Sequence, residues 1–65
     1  MIDETALQIV IKQMRAYRQN LDDNFIRNRI EEWLKTRHEP IAETSQDIIW
    51  SYQRALKEVK HVAAN

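Results

Sequence analysis

The chain has 65 residues, ten basic and ten acidic side chains for a formal net charge of zero, one Pro, and neither Cys nor Gly. That length fits one small domain, and the lack of Cys excludes a disulfide framework and a thiolate zinc site. The lack of Gly excludes a phosphate-cradling loop, a dinucleotide fingerprint and a nucleophile elbow, since each needs a residue without a Cβ where the backbone turns tightly or approaches a ligand.

Composition nevertheless favours a folded chain. Hydrophobic residues make up 43% and charged residues 31%, with two Trp and two Tyr, more apolar surface than a disordered segment carries. No apolar run exceeds three residues, Ile9-Val10-Ile11 being one of that length, far short of the roughly 20 residues that cross a bilayer. Asp3 and Glu4 stand where a secretory signal would carry a basic cluster, so the expectation is a soluble, cytoplasmic protein. Balanced charge also removes the long-range attraction of a basic domain for nucleic acid.

The first amphipathic segment runs from about residue 3 to about residue 19, with Leu7, Val10, Ile11, Met14, Tyr17 and Leu21 on one face at roughly 100° per residue. Asp3 suits the N-cap, with Ile2 and Leu7 as a hydrophobic staple across it. Asn20 is the expected exit residue, because Asn tolerates the left-handed conformation. The second segment, about 23–37, has Asp22 as its cap and an apolar stripe of Phe25, Ile26, Ile30, Trp33 and Leu34. Arg27 with Glu31 and Glu31 with Lys35 are four-residue ion pairs on its wet side. Lys35, Arg37 and His38 suit the negative end of the helix dipole, and Pro40 stops the helix continuing unbroken.

The third segment repeats at coiled-coil spacing through Ile41, Ser45, Ile48, Tyr52, Ala55, Val59 and Val62. Either Pro40 is its first helical position or Thr44 caps it, answered by Asp47 three residues on. The second reading is preferred, with helix from Thr44 or Ser45 over about 44–62 and Ala63-Ala64-Asn65 frayed. Together these segments predict an all-α protein, a three-helix bundle forming one domain over residues 1–65. Ile9 lies roughly 160° from the first stripe and Trp50 lies off the third. Both would face water in a monomer, which predicts self-association as a two-fold dimer.

The most informative surface feature is Trp50, Arg54, Lys57 and His61, at steps of four, three and four along one edge of the third helix. Three readings fit. Trp50 completes the core or a dimer seam while the cations are merely solvated; or it anchors a protein partner with the cations giving orientation; or it stacks on a nucleic-acid base while the cations hold phosphates. The weaker signals point to no chemistry. Glu58-Val59-Lys60-His61 has the Glu-x-x-His spacing of di-iron bundles, but no second such motif accompanies it and Val59, not Glu58, lies on the core stripe. Neither Ser45 nor Ser51 has a His at helical contact spacing, and the adjacent Glu31 and Glu32 point in different directions. A chain of this size has little wall for a desolvated pocket. The first helix mixes Asp3, Glu4, Gln8, Lys12 and Arg15 on its polar face, without the basic excess of a membrane-surface helix. No catalytic residue, metal, cofactor or membrane association is expected.

Ile49-Trp50-Ser51-Tyr52-Gln53-Arg54 followed by Lys57 resembles the recognition helix of homeodomains, which implies a helix-turn-helix DNA-binding role for the third helix. Ser51 and Gln53 stand where that family has its aromatic and base-reading Asn, Ala55 replaces a basic residue, and Glu43 and Asp47 would face phosphates. Over its whole length, from Met1-Ile2-Asp3-Glu4-Thr5-Ala6-Leu7 through Trp33-Leu34-Lys35 to Trp50-Ser51-Tyr52, the chain resembles the short accessory proteins encoded in the exo–xis interval of lambdoid bacteriophages. That resemblance implies a non-enzymatic effector acting on the host cell cycle or on phage development, and carries over no functional residue. The leading expectation is an interaction protein that binds a protein partner through Trp50, Arg54, Lys57 and His61.

Overall fold

Asp3 starts the first helix in the manner its position predicts. Its carboxylate accepts a hydrogen bond from the Ala6 N–H at 3.0 Å, with its own backbone extended. This satisfies one of the donors that a helix start leaves unpaired. The computed structural model describes residues 1–63, with side chains through His61. Its helices are α1 (Glu4–Ala16), α2 (Asp23–Thr36) and α3 (Glu43–Ala63), with no strand among the described residues. They form an all-α three-helix bundle. The Cα radius of gyration is 11.4 Å, close to the roughly 11 Å of a compact chain of this length.

The core is built from all three stripes. Ala6, Leu7, Val10, Ile11 and Met14 of α1 meet Ile26 and Ile30 of α2 and Ile48, Ile49, Tyr52 and Ala55 of α3, with Phe25, Trp33, Leu34, Leu56 and Val59 half-buried around them. α1 and α2 run antiparallel: Arg15 bonds Asp23 at one end, Glu4 bonds Arg27 further along, and Met1 and Ile2 lie beside Leu34 and Lys35. α1 crosses α3 obliquely, because both of its ends bond adjacent residues there. The Asp3 N–H donates to the Tyr52 hydroxyl at 3.0 Å, and the Ser51 hydroxyl donates to the Gln13 side-chain oxygen.

Several boundaries differ from those the sequence predicts. α1 ends at Ala16, not near Gln19, and Tyr17 is 74% exposed instead of extending the apolar stripe. Arg18, not Asn20, takes the left-handed conformation, with φ 59°. Gln19 N–H then bonds Met14 C=O and Arg18 N–H bonds Arg15 C=O, both at 3.0 Å, the paired bonds of a Schellman motif. Asp22 precedes α2 with an extended backbone but makes no side-chain cap bond. α3 starts between the two expected positions: Ala42 C=O accepts from Gln46 N–H, so Glu43 is the first helical residue and Thr44 lies inside the helix. Ile41 is therefore outside the helix and 99% exposed. Ile49, off the predicted stripe, is buried, because α3 is covered on two sides by α1 and α2 and so buries an arc wider than a single seam. Ile9 is half-buried against the core instead of facing water; Ala6 is fully buried, so the buried arc of α1 widens toward Ile9. Ala63, expected to fray, is the last residue of α3, while the side chain of Val62 and the fraying expected at Ala64 and Asn65 lie outside the described residues.

A left-handed backbone costs a residue with a Cβ about 1–2 kcal/mol. Glycine removes that cost at the price of greater freedom in the unfolded chain, so Arg18→Gly is expected to stabilise the fold by about 0.5–1 kcal/mol, read as a raised urea midpoint at unchanged slope. A lowered midpoint would show that the Arg18 side chain contributes more than its backbone geometry costs.

Arg27 clasps Glu4 with two hydrogen bonds of 2.8 Å, one to each carboxylate oxygen. The bond from Arg27 holds the Glu4 carboxyl below its ordinary value, against opposing desolvation, and Glu4 in turn raises Arg27 above its own. Because the folded carboxyl is the more acidic, its contribution is complete above the unfolded-state value and is lost as pH falls through the folded-state value. Both groups are open to water, so the effect is small and weakened by salt. Glu4→Gln is accordingly expected to flatten the acid limb of a urea-midpoint-against-pH curve at low ionic strength. Superimposable curves for variant and parent would show that the clasp adds no stability.

Candidate functional site

α3 turns two opposite faces to its surroundings. Tyr52 is 1% exposed and marks the centre of the buried face. On the far side Trp50, Arg54, Lys57 and His61 are all exposed, at four- and three-residue steps that keep them within about 60° of one another. Trp50 is 59% exposed, so it does not complete the core of the single chain. An indole is large and apolar, and leaving that much of it in water forgoes hydrophobic stabilisation that burial would supply.

The oblique crossing of α1 adds a wall beside this face. A groove of about 410 Å³ runs between the C-terminal end of α1 and the middle of α3, lined by Gln13, Met14, Tyr17 and Gln19 on one side and Asp47, Trp50, Ser51 and Arg54 on the other. The bond between Ser51 and Gln13 ties its two walls together. The structure thus brings Trp50 and Arg54 to the same groove as Tyr17. Lys57 and His61 continue the exposed line along α3 but do not line the groove, and His61 lies about 16 Å beyond Trp50 at 1.5 Å per residue. Tyr17 and Asp47 were not among the predicted site residues. Tyr17 shares the spacing of the α1 core stripe, and the polar run Arg18-Gln19-Asn20 after it is the signal that the helix, and with it the buried stripe, stops there.

A second surface feature lies at the α2–α3 corner. A groove of about 400 Å³ is lined by Trp33, His38, Pro40 and Ile41 among others. The Arg37 guanidinium sits 4.7 Å from the Trp33 ring centroid, a cation–π contact that already occupies that ring. Trp33 is half-buried, which leaves it a smaller free face than Trp50.

Among the described residues no three His, Asp or Glu side chains are grouped to hold a metal ion, and no buried side-chain polar atom is left without a hydrogen-bond partner. No helix among the described residues is long and apolar enough to cross a membrane. No protein-family model matches the chain, and no curated protein or solved structure does.

Proposed function

We propose that this chain is a small, non-enzymatic, cytoplasmic interaction protein that works by binding another protein through the outer face of α3. The observation that carries the reading is Trp50, exposed to 59% beside the exposed Tyr17 on one groove wall and Arg54 on the other. Trp, Tyr and Arg are the residue types that dominate protein-binding hot spots, and a concave setting lets a partner exclude water from them. Lys57 extends the face with positive charge, which orients a partner more than it holds one, and His61 continues it with an imidazole. The resemblance to lambdoid accessory proteins supports an effector role, with a host or phage protein as the target and the host cell cycle or phage development as the process affected.

A DNA-binding role for α3 is the alternative, and the charge pattern weighs against it. Glu43 lies in the first turn and Asp47 one turn later, where phosphates would approach, and the chain has no net positive charge to offset them. Affinity capture from a bacterial lysate separates the two. Retention of a protein that withstands nuclease and is lost in Trp50→Ala supports the protein-binding reading. Retention of nucleic acid that falls steeply with added salt overturns it.

A further inference from the structure

The outer face of α3 extends further than the four residues nominated by spacing. With Glu43 as the first helical residue, the series Glu43, Asp47, Trp50, Arg54, Lys57 and His61 runs at steps of four, three, four, three and four. All six fall within about 40° of one direction, opposite Tyr52. This is the repeat of a coiled-coil seam, here on the outer face of α3, flanked beside Asp47, Trp50 and Arg54 by Tyr17 and Gln19 at the end of α1. The charges along it are segregated: two acids before Trp50, three basic side chains after it.

The α3 dipole favours acid toward its start and base toward its end, but it gives these charges no partners. Glu43 and Asp47 are like charges four residues apart, and Arg54 and Lys57 like charges three apart, so each pair repels on an isolated helix. Among the described residues the ion pairs are Arg15–Asp23, Arg27–Glu4, Arg27–Glu31 and Arg29–Glu32. Every one joins α1 to α2 or lies within α2. None involves the α3 series, whose acids and bases stand too far apart along the helix to meet.

A second copy resolves both facts. We propose that α3 pairs with α3 of an identical chain, antiparallel, about a two-fold axis passing beside Trp50. Glu43 and Lys57 stand seven residues to either side of Trp50, about 10 Å each way. Asp47 precedes it by three residues and Arg54 follows it by four. Reversing the second helix therefore sets Glu43 opposite the second copy's Lys57 and Asp47 opposite its Arg54. The two-fold axis repeats both pairs and brings the two indoles together at the centre. An isologous interface must be complementary to itself, and a seam with acid at one end, base at the other and an aromatic midway meets that requirement. A parallel pairing would set acid on acid and base on base. This inference rests on the reading of the α3 face as a protein-binding surface and names its resident occupant; a heterologous partner and a second copy then compete for Trp50.

Sedimentation velocity on the full chain over a concentration series, at low and high salt, tests the proposal. The parent protein is expected to dimerise, more weakly as salt screens the pairs. Each of Glu43→Lys and Lys57→Glu sets two like-charge contacts across the seam and is expected to weaken the dimer about tenfold. The double variant Glu43→Lys/Lys57→Glu is expected to restore it. Each single change also opposes the α3 dipole, and in the double variant those penalties add, so a fold-stability effect predicts a weaker dimer there while the seam predicts a stronger one. Circular dichroism on the same samples confirms that each variant is helical. A dimer unaffected by the single reversals, or not restored in the double variant, overturns this seam. A parent monomeric at high micromolar concentration overturns self-pairing altogether; if nuclease-resistant capture remains Trp50-dependent in that case, the wider protein-binding reading survives without it.

Discussion

Tyr52→Ala is expected to unfold the protein. Tyr52 is among the largest fully buried side chains, and its hydroxyl reaches the start of α1. Truncating a buried aromatic to Ala typically costs about 3–5 kcal/mol, lost transfer energy and residual cavity together. A single core in a chain this short rarely supplies more than about 3–5 kcal/mol of net stability, so the loss matches the whole margin. The measurement is far-ultraviolet circular dichroism at 25 °C, where the parent is helical and the variant is expected to lose most of that signal. Tyr52→Phe is the informative companion. It keeps the ring and removes only the hydroxyl that accepts from Asp3 N–H, a change of about 0.5–1.5 kcal/mol that leaves the chain folded with a lower melting temperature. Equal damage from both variants would mean that the hydrogen bond to α1, and not the packing, holds the bundle.

Trp50→Ala is expected to have the opposite profile: unchanged folding and lost association. The indole is mostly outside the core, and Ala is the better helix former, so the melting temperature should stay level or rise slightly. Truncating a hot-spot Trp costs about 2 kcal/mol or more of binding, at least about 30-fold in Kd. That loss should appear both in partner capture and in the dimer dissociation constant. Cooperative melting of the variant at a much lower temperature would reassign Trp50 to structure and remove the centre of the proposed face.

Much of the bundle was legible because burial imposes a period. Leu7, Val10, Ile11 and Met14, then Ile26 and Ile30, then Ile48, Tyr52 and Ala55 all lie where helical spacing places them. Periodicity fails at the ends, where apolar spacing runs past the helix itself, one residue after α1 and two residues before α3. Tyr17 and Ile41 keep the correct interval and are nevertheless exposed. The turn itself was hidden because no glycine marks it; Arg18 and Arg37 carry the left-handed geometry with nothing in their side chains to announce it. Local pairing rules nominated Glu31 for Arg27, and that pair is 3.9 Å apart, but the closer partner is Glu4, from a different helix. The exposed line from Trp50 to His61 could be read from spacing alone. Its extension back to Glu43 needed the start of α3, and the Tyr17 wall needed the oblique angle of α1, which no local pattern encodes.

The two arginine corners have a mechanical meaning. A joint made of glycine is a swivel, because the unsubstituted backbone visits many conformations on either side of the native one. At Arg18 and Arg37 the Cβ narrows that range, and at Arg37 the guanidinium is also stacked on Trp33. Helices joined at such corners have fewer ways to bend relative to one another, so the groove beside Trp50 would meet a partner of the proposed kind already shaped. Little ordering entropy would then be lost if such a partner docked there.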